Sequence, residues 1–178
     1  KVWSTTRGMD AAAIHAAVAG RIAAGGRDPA RVPDIVIVDD LLGPEAMAGL
    51  YAACDVVVAP TRGEGWGRPL MEAMALGRPA IATGWSGPAA FVDETTGWPL
   101  GHRLVPVPPE GVAEVPAYAG HAWAEPDGGD LVRALRDAHQ DSGERRARGA
   151  AARARAETFD HRRVAALALE RLLQAVPA

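Results

Sequence analysis

Apolar positions along the chain alternate between short continuous runs and longer stretches with helical spacing. The short runs predict strands that are buried on both faces of a parallel sheet, and they lie at 2–4, 34–38, 55–60 and 80–82. The longer stretches predict helices at 10–24, from Pro44 onward, at 69–76, and over 130–139, 142–157 and 161–175. Because strands and helices that alternate are typical of βα units, the sequence predicts an α/β fold with a parallel sheet flanked by helices.

Two further patterns refine this prediction. The segment 101–116 is rich in Pro and Val without a helical period, which predicts a surface excursion, and 118–123 is interpreted as the last strand or its approach. In the helix that begins at Pro44, an apolar stripe predicts the inner face, made of Met47, Leu50, Tyr51 and Cys54. The chain shows neither an internal repeat nor a linker, so 1–178 is interpreted as one domain.

The composition excludes several classes of function. A net charge of −3 argues against a nucleic-acid-binding protein. One cysteine, Cys54, excludes an intramolecular disulfide framework and fits a reducing cytosol. No apolar run approaches the ~20 residues that span a bilayer and no signal peptide opens the chain, so we expect a cytoplasmic protein. The first residue is Lys1 rather than Met, which predicts that the sequence begins inside a longer polypeptide.

A glycine-rich turn follows the strand predicted at 55–60. In a parallel sheet this turn lies at the carboxyl end of a strand, where open α/β folds bind their ligands. Gly63, Gly65 and Gly67 let a ligand come close to the backbone, because they have no Cβ. Pro69 stands where the next helix should begin, so its neighbours would present N–H groups at a helix N-terminus. That arrangement suits an anion such as a diphosphate.

Two acidic residues, Glu64 and Glu72, flank this predicted anion site. A carboxylate repels phosphate, but it accepts two hydrogen bonds at once and so matches the vicinal diol of a sugar or a ribose. The two residues would then hold opposite ends of one nucleotide sugar. The alternative interpretation is structural: a glycine-rich turn followed by acids that favour the macrodipole of the helix.

The segment around this turn resembles the signature of glycosyltransferase family 4, whose members have the GT-B fold and are generally retaining. The resemblance runs from about Val38 to Leu100, with a weaker similarity at 123–126. Its most specific parts are LYAACDVVVAP at 50–60 and EGWGRPLMEAMALGRPAIAT at 64–83, followed by GPAAFV at 87–92 and TGW at 96–98.

The resemblance implies a Rossmann-like C-terminal half of a GT-B fold, with the first βα unit missing. It implies the donor-binding domain of a retaining glycosyltransferase of the hexosyltransferase type, which transfers a sugar from a nucleotide sugar to an acceptor hydroxyl. The expected partners are that donor and an N-terminal acceptor-binding domain that is not part of this sequence. Neither a metal ion nor another cofactor is expected, and the chain alone is expected to be inactive.

Residue roles follow from the same resemblance. Glu64 is the candidate catalytic residue and would contact hydroxyls of the donor sugar, whereas Glu72 would bind the ribose diol. Backbone amides would bind the sugar and the diphosphate at Gly65, Trp66, Gly67, Arg68 and Leu70. The nucleobase would lie against the backbone of Asp39, Asp40, Leu41 and Leu42.

Other interpretations stay open at this point. One alternative is a non-catalytic nucleotide-sugar-binding module, and another is a sugar-nucleotide epimerase of GT-B architecture. The basic helix at 144–155 is interpreted as a solvated face, with peripheral contact at the inner face of a membrane as the alternative. Trp66 either stacks on a ligand or covers the core edge, and Trp85 is a candidate for the border of the same crevice. The five histidines lack metal-ligand spacing, so no metal site is predicted.

Overall fold

The structure, a computed structural model, describes residues 11–26, 28–38 and 40–175. The chain divides into two units, Lys1–Gly43 and Pro44–Ala178, which are described separately. The prediction of a single domain over 1–178 stays a prediction.

In the described residues of the first unit a long helix forms, α1 (Ala11–Ala24), which confirms the helix predicted at 10–24 over its described part. Gly26 follows it with φ 62°, and a 3-10 turn forms at Pro29–Arg31. The strand predicted at 34–38 is wrong, because these residues have no regular secondary structure and Val36 is 82% exposed. A strand needs hydrogen bonds from a neighbouring strand, and none of the described residues pairs with this run. The strand predicted at 2–4 lies outside the described residues.

The second unit is built on a three-stranded parallel sheet in the order β1-β2-β3, which confirms the predicted sheet type. Its strands are β1 (Val57–Ala59), β2 (Ala80–Thr83) and β3 (Gly97–Leu100). The central strand, β2, is buried along its whole length, as expected of a strand with neighbours on both sides.

Helices cover both faces of this sheet, with α3 (Arg68–Ala75) and α6 (Ser142–Glu157) on one face and α5 (Gly128–Gln140) on the other. Helix α2 (Pro44–Ala53) lies against α3, and α7 (His161–Ala175) has no buried residue. Helices α5, α6 and α7 agree with the helices predicted at 130–139, 142–157 and 161–175. In α2 the predicted inner stripe is only partly right, since Met47 and Tyr51 are half-buried whereas Leu50 and Cys54 are exposed.

Small side chains bring these helices close to the strands. One core cluster joins α3 and α6 to β2, with Leu70, Met74, Ala80 and Ala152 among its members. A second cluster joins α5 to the opposite face through Ile81 of β2 and Trp98 of β3. The sheet is therefore covered on both sides, which leaves the loops at the ends of its strands open to solvent.

The segment predicted as a surface excursion folds into an antiparallel hairpin. Strands β4 (His102–Pro106) and β5 (Ala122–Pro126) pair with each other, and α4 (Pro109–Glu114) lies in their connection. The prediction that 118–123 is the last strand or its approach is confirmed, since the last strand, β5, begins at Ala122. Its place is in a second, two-stranded sheet that stands at the carboxyl end of β3.

Candidate functional site

The glycine-rich loop 60–67 leaves the carboxyl end of β1, as the sequence predicts. The loop packs against the turn that follows β2, where the Thr83 hydroxyl donates to the carbonyl oxygen of Thr61 at 2.6 Å. The carbonyl oxygen of Glu64 accepts two more bonds, from the N–H of Gly87 at 3.0 Å and from the Ser86 hydroxyl at 2.9 Å. These bonds fix the loop at the edge where parallel α/β sheets bind ligands.

Gly87 and Ser86 allow this close packing in different ways. A Cβ on Gly87 would lie 2.5 Å from both the Gly65 carbonyl oxygen and the Trp66 Cα, so no side chain fits there. Ser86 has φ 61° and ψ −144°, a conformation that favours glycine. The hydroxyl bond to Glu64 compensates part of the strain at Ser86. The two loops therefore hold each other in a fixed shape.

The N-terminus of α3 points its first amides into this loop region. Gly67 occupies the N-cap with φ 91°, and no side chain caps the helix. The N–H groups of Leu70 and Met71 donate to the Gly67 carbonyl oxygen at 2.9 and 3.1 Å. The Leu70 side chain is buried in the core. Of the predicted backbone donors, the Leu70 amide is therefore already used inside the helix, while the N-terminus in front of it is uncapped.

The two predicted acids differ in how the chain holds them. Among the described residues, no hydrogen bond or ion pair engages the half-buried Glu64 carboxylate. The Glu72 side chain is 46% exposed, and its oxygens lie 3.4 Å from the Tyr51 hydroxyl and 3.5 Å from Nη2 of Arg68. Burial, and then Glu72, raise the pKa of Tyr51, so its neutral hydroxyl remains a donor. Both contacts of Glu72 are long, so a ligand diol can replace them.

Trp66 covers the edge of the core, which was one of its two interpretations. Its ring lies 5.3 Å from that of Phe91 and 5.2 Å from that of Phe159, with the latter edge-on. Such tilted aromatic contacts are favourable. The side chain of Trp66 is thus part of the packing.

Trp85 lies beside the loop, at a cavity of about 420 Å³. Arg62 and Gly63 of the loop line the same cavity, together with Tyr118 and Trp123 of the hairpin segment. The sequence analysis singled out Gly63 and Trp85 but not Arg62, Tyr118 or Trp123. For Trp123 the signal was the weaker family similarity at 123–126.

Three arginines of the basic helix α6 contact the chain itself, whereas Arg146 and Arg153 are exposed. Arg155 pairs with Asp93 at 2.8 Å, Arg145 with Asp55 at 3.4 Å, and Arg148 with Glu144. The Arg148 guanidinium also lies 4.5 Å from the Trp98 ring centroid. These contacts favour a structural role for the helix over a membrane-binding face.

The predicted nucleobase residues belong to the first unit. Asp39 lies outside the described residues, whereas Asp40 and Leu41 are exposed and Leu42 is half-buried. Their assignment to the base stays a prediction.

In residues 11–26, 28–38 and 40–175, no group of three or more His, Cys, Asp or Glu side chains is placed to hold a metal ion. Within the same part of the chain, no helix has both the length and the apolar character needed to cross a membrane.

Comparison with known proteins supports this description. A family model described as glycosyl transferases group 1 matches residues 5–115, more than half of the chain. The structure is similar to that of sucrose-phosphate synthase from Thermosynechococcus elongatus, with a TM-score of 0.60 and 24% sequence identity. That match covers 94% of this chain and 36% of the synthase, so the chain spans about a third of that protein. No curated protein matches the chain. The likeness confirms the predicted α/β architecture, with a parallel sheet flanked by helices as in the GT-B fold.

Proposed function

We propose that this chain, which belongs to the glycosyl transferases group 1 family, binds the nucleotide-sugar donor of a retaining glycosyltransferase. The observation that carries the proposal is the segment Glu64–Glu72. It combines a loop at the carboxyl end of β1, an uncapped helix N-terminus and a carboxylate at each end. A nucleotide sugar has its groups in the same order, because its diphosphate lies between the hydroxyls of the sugar and the diol of the ribose.

The diphosphate would bind at the N-terminus of α3. Two negative charges there are stabilised by unpaired amides and by the helix macrodipole. Because the Leu70 amide is already used by the Gly67 carbonyl oxygen, the available donors are those of Gly65, Trp66, Gly67 and Arg68. The positions of these donors are set by the bonds of the loop to Ser86 and Gly87.

The two carboxylates would bind the parts of the ligand on either side of the diphosphate. Glu64 would accept hydrogen bonds from hydroxyls of the transferred sugar, and Glu72 from the ribose diol. The exposed Glu72 exchanges its long contacts to Tyr51 and Arg68 for the two shorter bonds that a diol provides.

In the proposed transfer, the bond from the anomeric carbon to the diphosphate breaks, and a bond to the acceptor oxygen forms on the same face. The acceptor proton passes to the departing diphosphate, so no base from this chain is required. The chain contributes position and electrostatic stabilisation of the leaving group. We infer that turnover also needs an opposing acceptor-binding domain, which orients the acceptor and excludes water.

Calorimetric titration with UDP-, GDP- and ADP-sugars, and with the plain nucleoside diphosphates, tests the different roles proposed for Glu64 and Glu72. Glu72→Ala should weaken the binding of both ligand types by ~1.5–3 kcal/mol, or roughly 10- to 100-fold. Glu64→Ala should weaken binding of the nucleotide sugar and leave the nucleoside diphosphate nearly unchanged, because only the sugar meets Glu64.

The chain offers a matched control in Glu157, an exposed glutamate that pairs with an arginine four residues earlier on its helix, as Glu72 does. Glu157→Ala should change neither affinity. Equal losses for both ligands in the Glu64 variant would contradict the proposed roles.

A further inference from the structure

The cavity beside the glycine-rich loop is a second place where a ligand can bind. Its volume of about 420 Å³ lies in the range of small-molecule sites. It is lined by Arg62, Gly63, Trp85, Tyr118, His121 and Trp123. The surface that these residues present is predominantly apolar.

The hairpin is fastened to the loop, so the cavity has a defined shape. The N–H of Ala124 donates to the Arg62 carbonyl oxygen at 3.0 Å. The Arg62 guanidinium binds both carboxylate oxygens of Glu125. It also lies 4.8 Å from the centroid of the Trp123 ring. Backbone and side-chain contacts therefore join one wall of the cavity to the other.

The charge of the cavity favours a neutral ligand. Among the described residues that line it, Arg62 is the one arginine or lysine, and the Glu125 carboxylate compensates that charge through two hydrogen bonds. The pKa of Glu125 is lowered chiefly by its hydrogen bonds with Arg62, so the pair remains ionised. A phosphate or a carboxylate would find no uncompensated cation here.

The aromatic side chains favour a ring as the ligand. Trp85 is 40% exposed and Tyr118 is 45% exposed, although large aromatic side chains usually bury most of their surface. The ring of Trp85 is supported from one side by that of His102, at 5.2 Å. Aromatic faces carry partial negative charge, so they attract the C–H face of a pyranose ring.

The position of the cavity indicates which part of the reaction it serves. Gly63 lines it and immediately precedes Glu64, whereas no residue of α3, which carries Glu72, takes part. The cavity therefore adjoins the end of the loop proposed to hold the transferred sugar. It is separate in sequence from the residue proposed to hold the ribose.

We propose that this cavity, built by the hairpin, binds a neutral pyranose ring of the acceptor next to the transferred sugar, and this rests on the proposed donor site. Trp85 and Tyr118 stack on the ring. Arg62 and His121 supply hydrogen-bond partners for its hydroxyls. The chain then contributes to the choice of acceptor as well as to donor binding.

Saturation-transfer NMR with methyl α-glucoside, methyl α-mannoside and methyl α-galactoside tests this directly, without turnover. Saturation should reach the ring C–H groups of at least one glycoside. Trp85→Ala and Tyr118→Ala should each weaken its binding roughly threefold to tenfold, while Trp85→Phe retains most of it. Both alanine variants should leave nucleoside diphosphate affinity unchanged. Leu172→Ala, an exposed apolar truncation on α7, controls for surface effects.

Two outcomes would overturn the acceptor site. One is that no glycoside receives saturation from the unmodified chain. The other is that Trp85→Ala and Tyr118→Ala weaken nucleoside diphosphate binding instead, which would assign the cavity to the nucleobase. Failure of the proposed donor site would give a different result. The nucleoside diphosphates would then not bind, whereas glycoside binding would still depend on Trp85.

Discussion

The packing of the glycine-rich loop against the turn after β2 is open to a direct test by Gly87→Ala. In the structure, a Cβ at this position would lie 2.5 Å from the Gly65 carbonyl oxygen and from the Trp66 Cα. Ordinary van der Waals contacts of a Cβ begin at about 3.4 Å, so the loop would have to move by about 1 Å. Both obstructing atoms belong to the backbone and cannot rotate away.

The expected cost combines two opposed effects. Overpacking of this kind costs about 1–3 kcal/mol. Replacing glycine by alanine also lowers the conformational entropy of the unfolded chain, which stabilises the folded state by about 0.4–1 kcal/mol. Because both obstructing atoms belong to the backbone, the cost should lie in the upper part of its range, and the free energy of unfolding should fall by about 1–2.5 kcal/mol. A shift of about 1 Å also breaks the bond from the Gly87 N–H to Glu64, so nucleotide-sugar affinity should fall about tenfold or more.

Urea unfolding followed by circular dichroism measures the stability, and calorimetric titration measures the affinity. Gly65→Ala is the matched control, since a Cβ there meets nothing within 4 Å although Gly65 belongs to the same contact. Its free energy of unfolding should stay within about 0.5 kcal/mol of the original. An unchanged stability in Gly87→Ala, or an equal loss in Gly65→Ala, would refute the close packing.

Two predictions remain. The Thr95 hydroxyl, and after it Arg155, lower the pKa of Asp93 from 3.8 to about 2, so the stability that this carboxylate contributes is present above pH ~4 and lost as the pH falls towards 2. In Asp93→Asn that part of the acid unfolding profile should become flatter; a profile identical to the original would contradict the assignment. The purified chain alone should show neither sugar transfer nor donor hydrolysis in a radiolabelled assay, and transfer without an added acceptor-binding domain would refute that inference.

The helices at the end of the chain could be predicted because their signals are local. Asp127 and Asp141 cap α5 and α6 by accepting from the amides of Asp130 and Glu144. Such caps and the spacing of apolar residues are both visible in the sequence. The glycine-rich loop could be located for the same reason, since β1, the glycines and Pro69 follow one another directly.

Strand β3 was missed because its stability depends on distant partners. Its four residues include Gly97 and Pro99, which are both unfavourable in strands. Pairing with β2 overrides that preference, and it needs the glycine: a Cβ on Gly97 would lie 2.0 Å from the Ala80 carbonyl oxygen. The opposite error occurred at 34–38, where favourable strand residues lack a pairing partner among the described residues.

The candidate site shows the same limit. Glu64 and Glu72 are recognisable from their spacing, but the role of Trp66 is decided by Phe159, which is remote in sequence. The cavity residues Trp85 and Trp123 are brought together only by the hairpin. Neither spacing nor composition contains that information.

The contact between Trp66 and Phe159 also has a mechanical consequence. Phe159 lies in the turn between α6 and α7, so the ring cluster joins the glycine-rich loop to the point where the last helix begins. The same cluster includes Phe91, which follows the Gly87–Ala90 turn against the loop. A change in the direction in which α7 leaves this turn would therefore disturb the Trp66–Phe159 contact. That contact lies next to the amides proposed to hold the diphosphate.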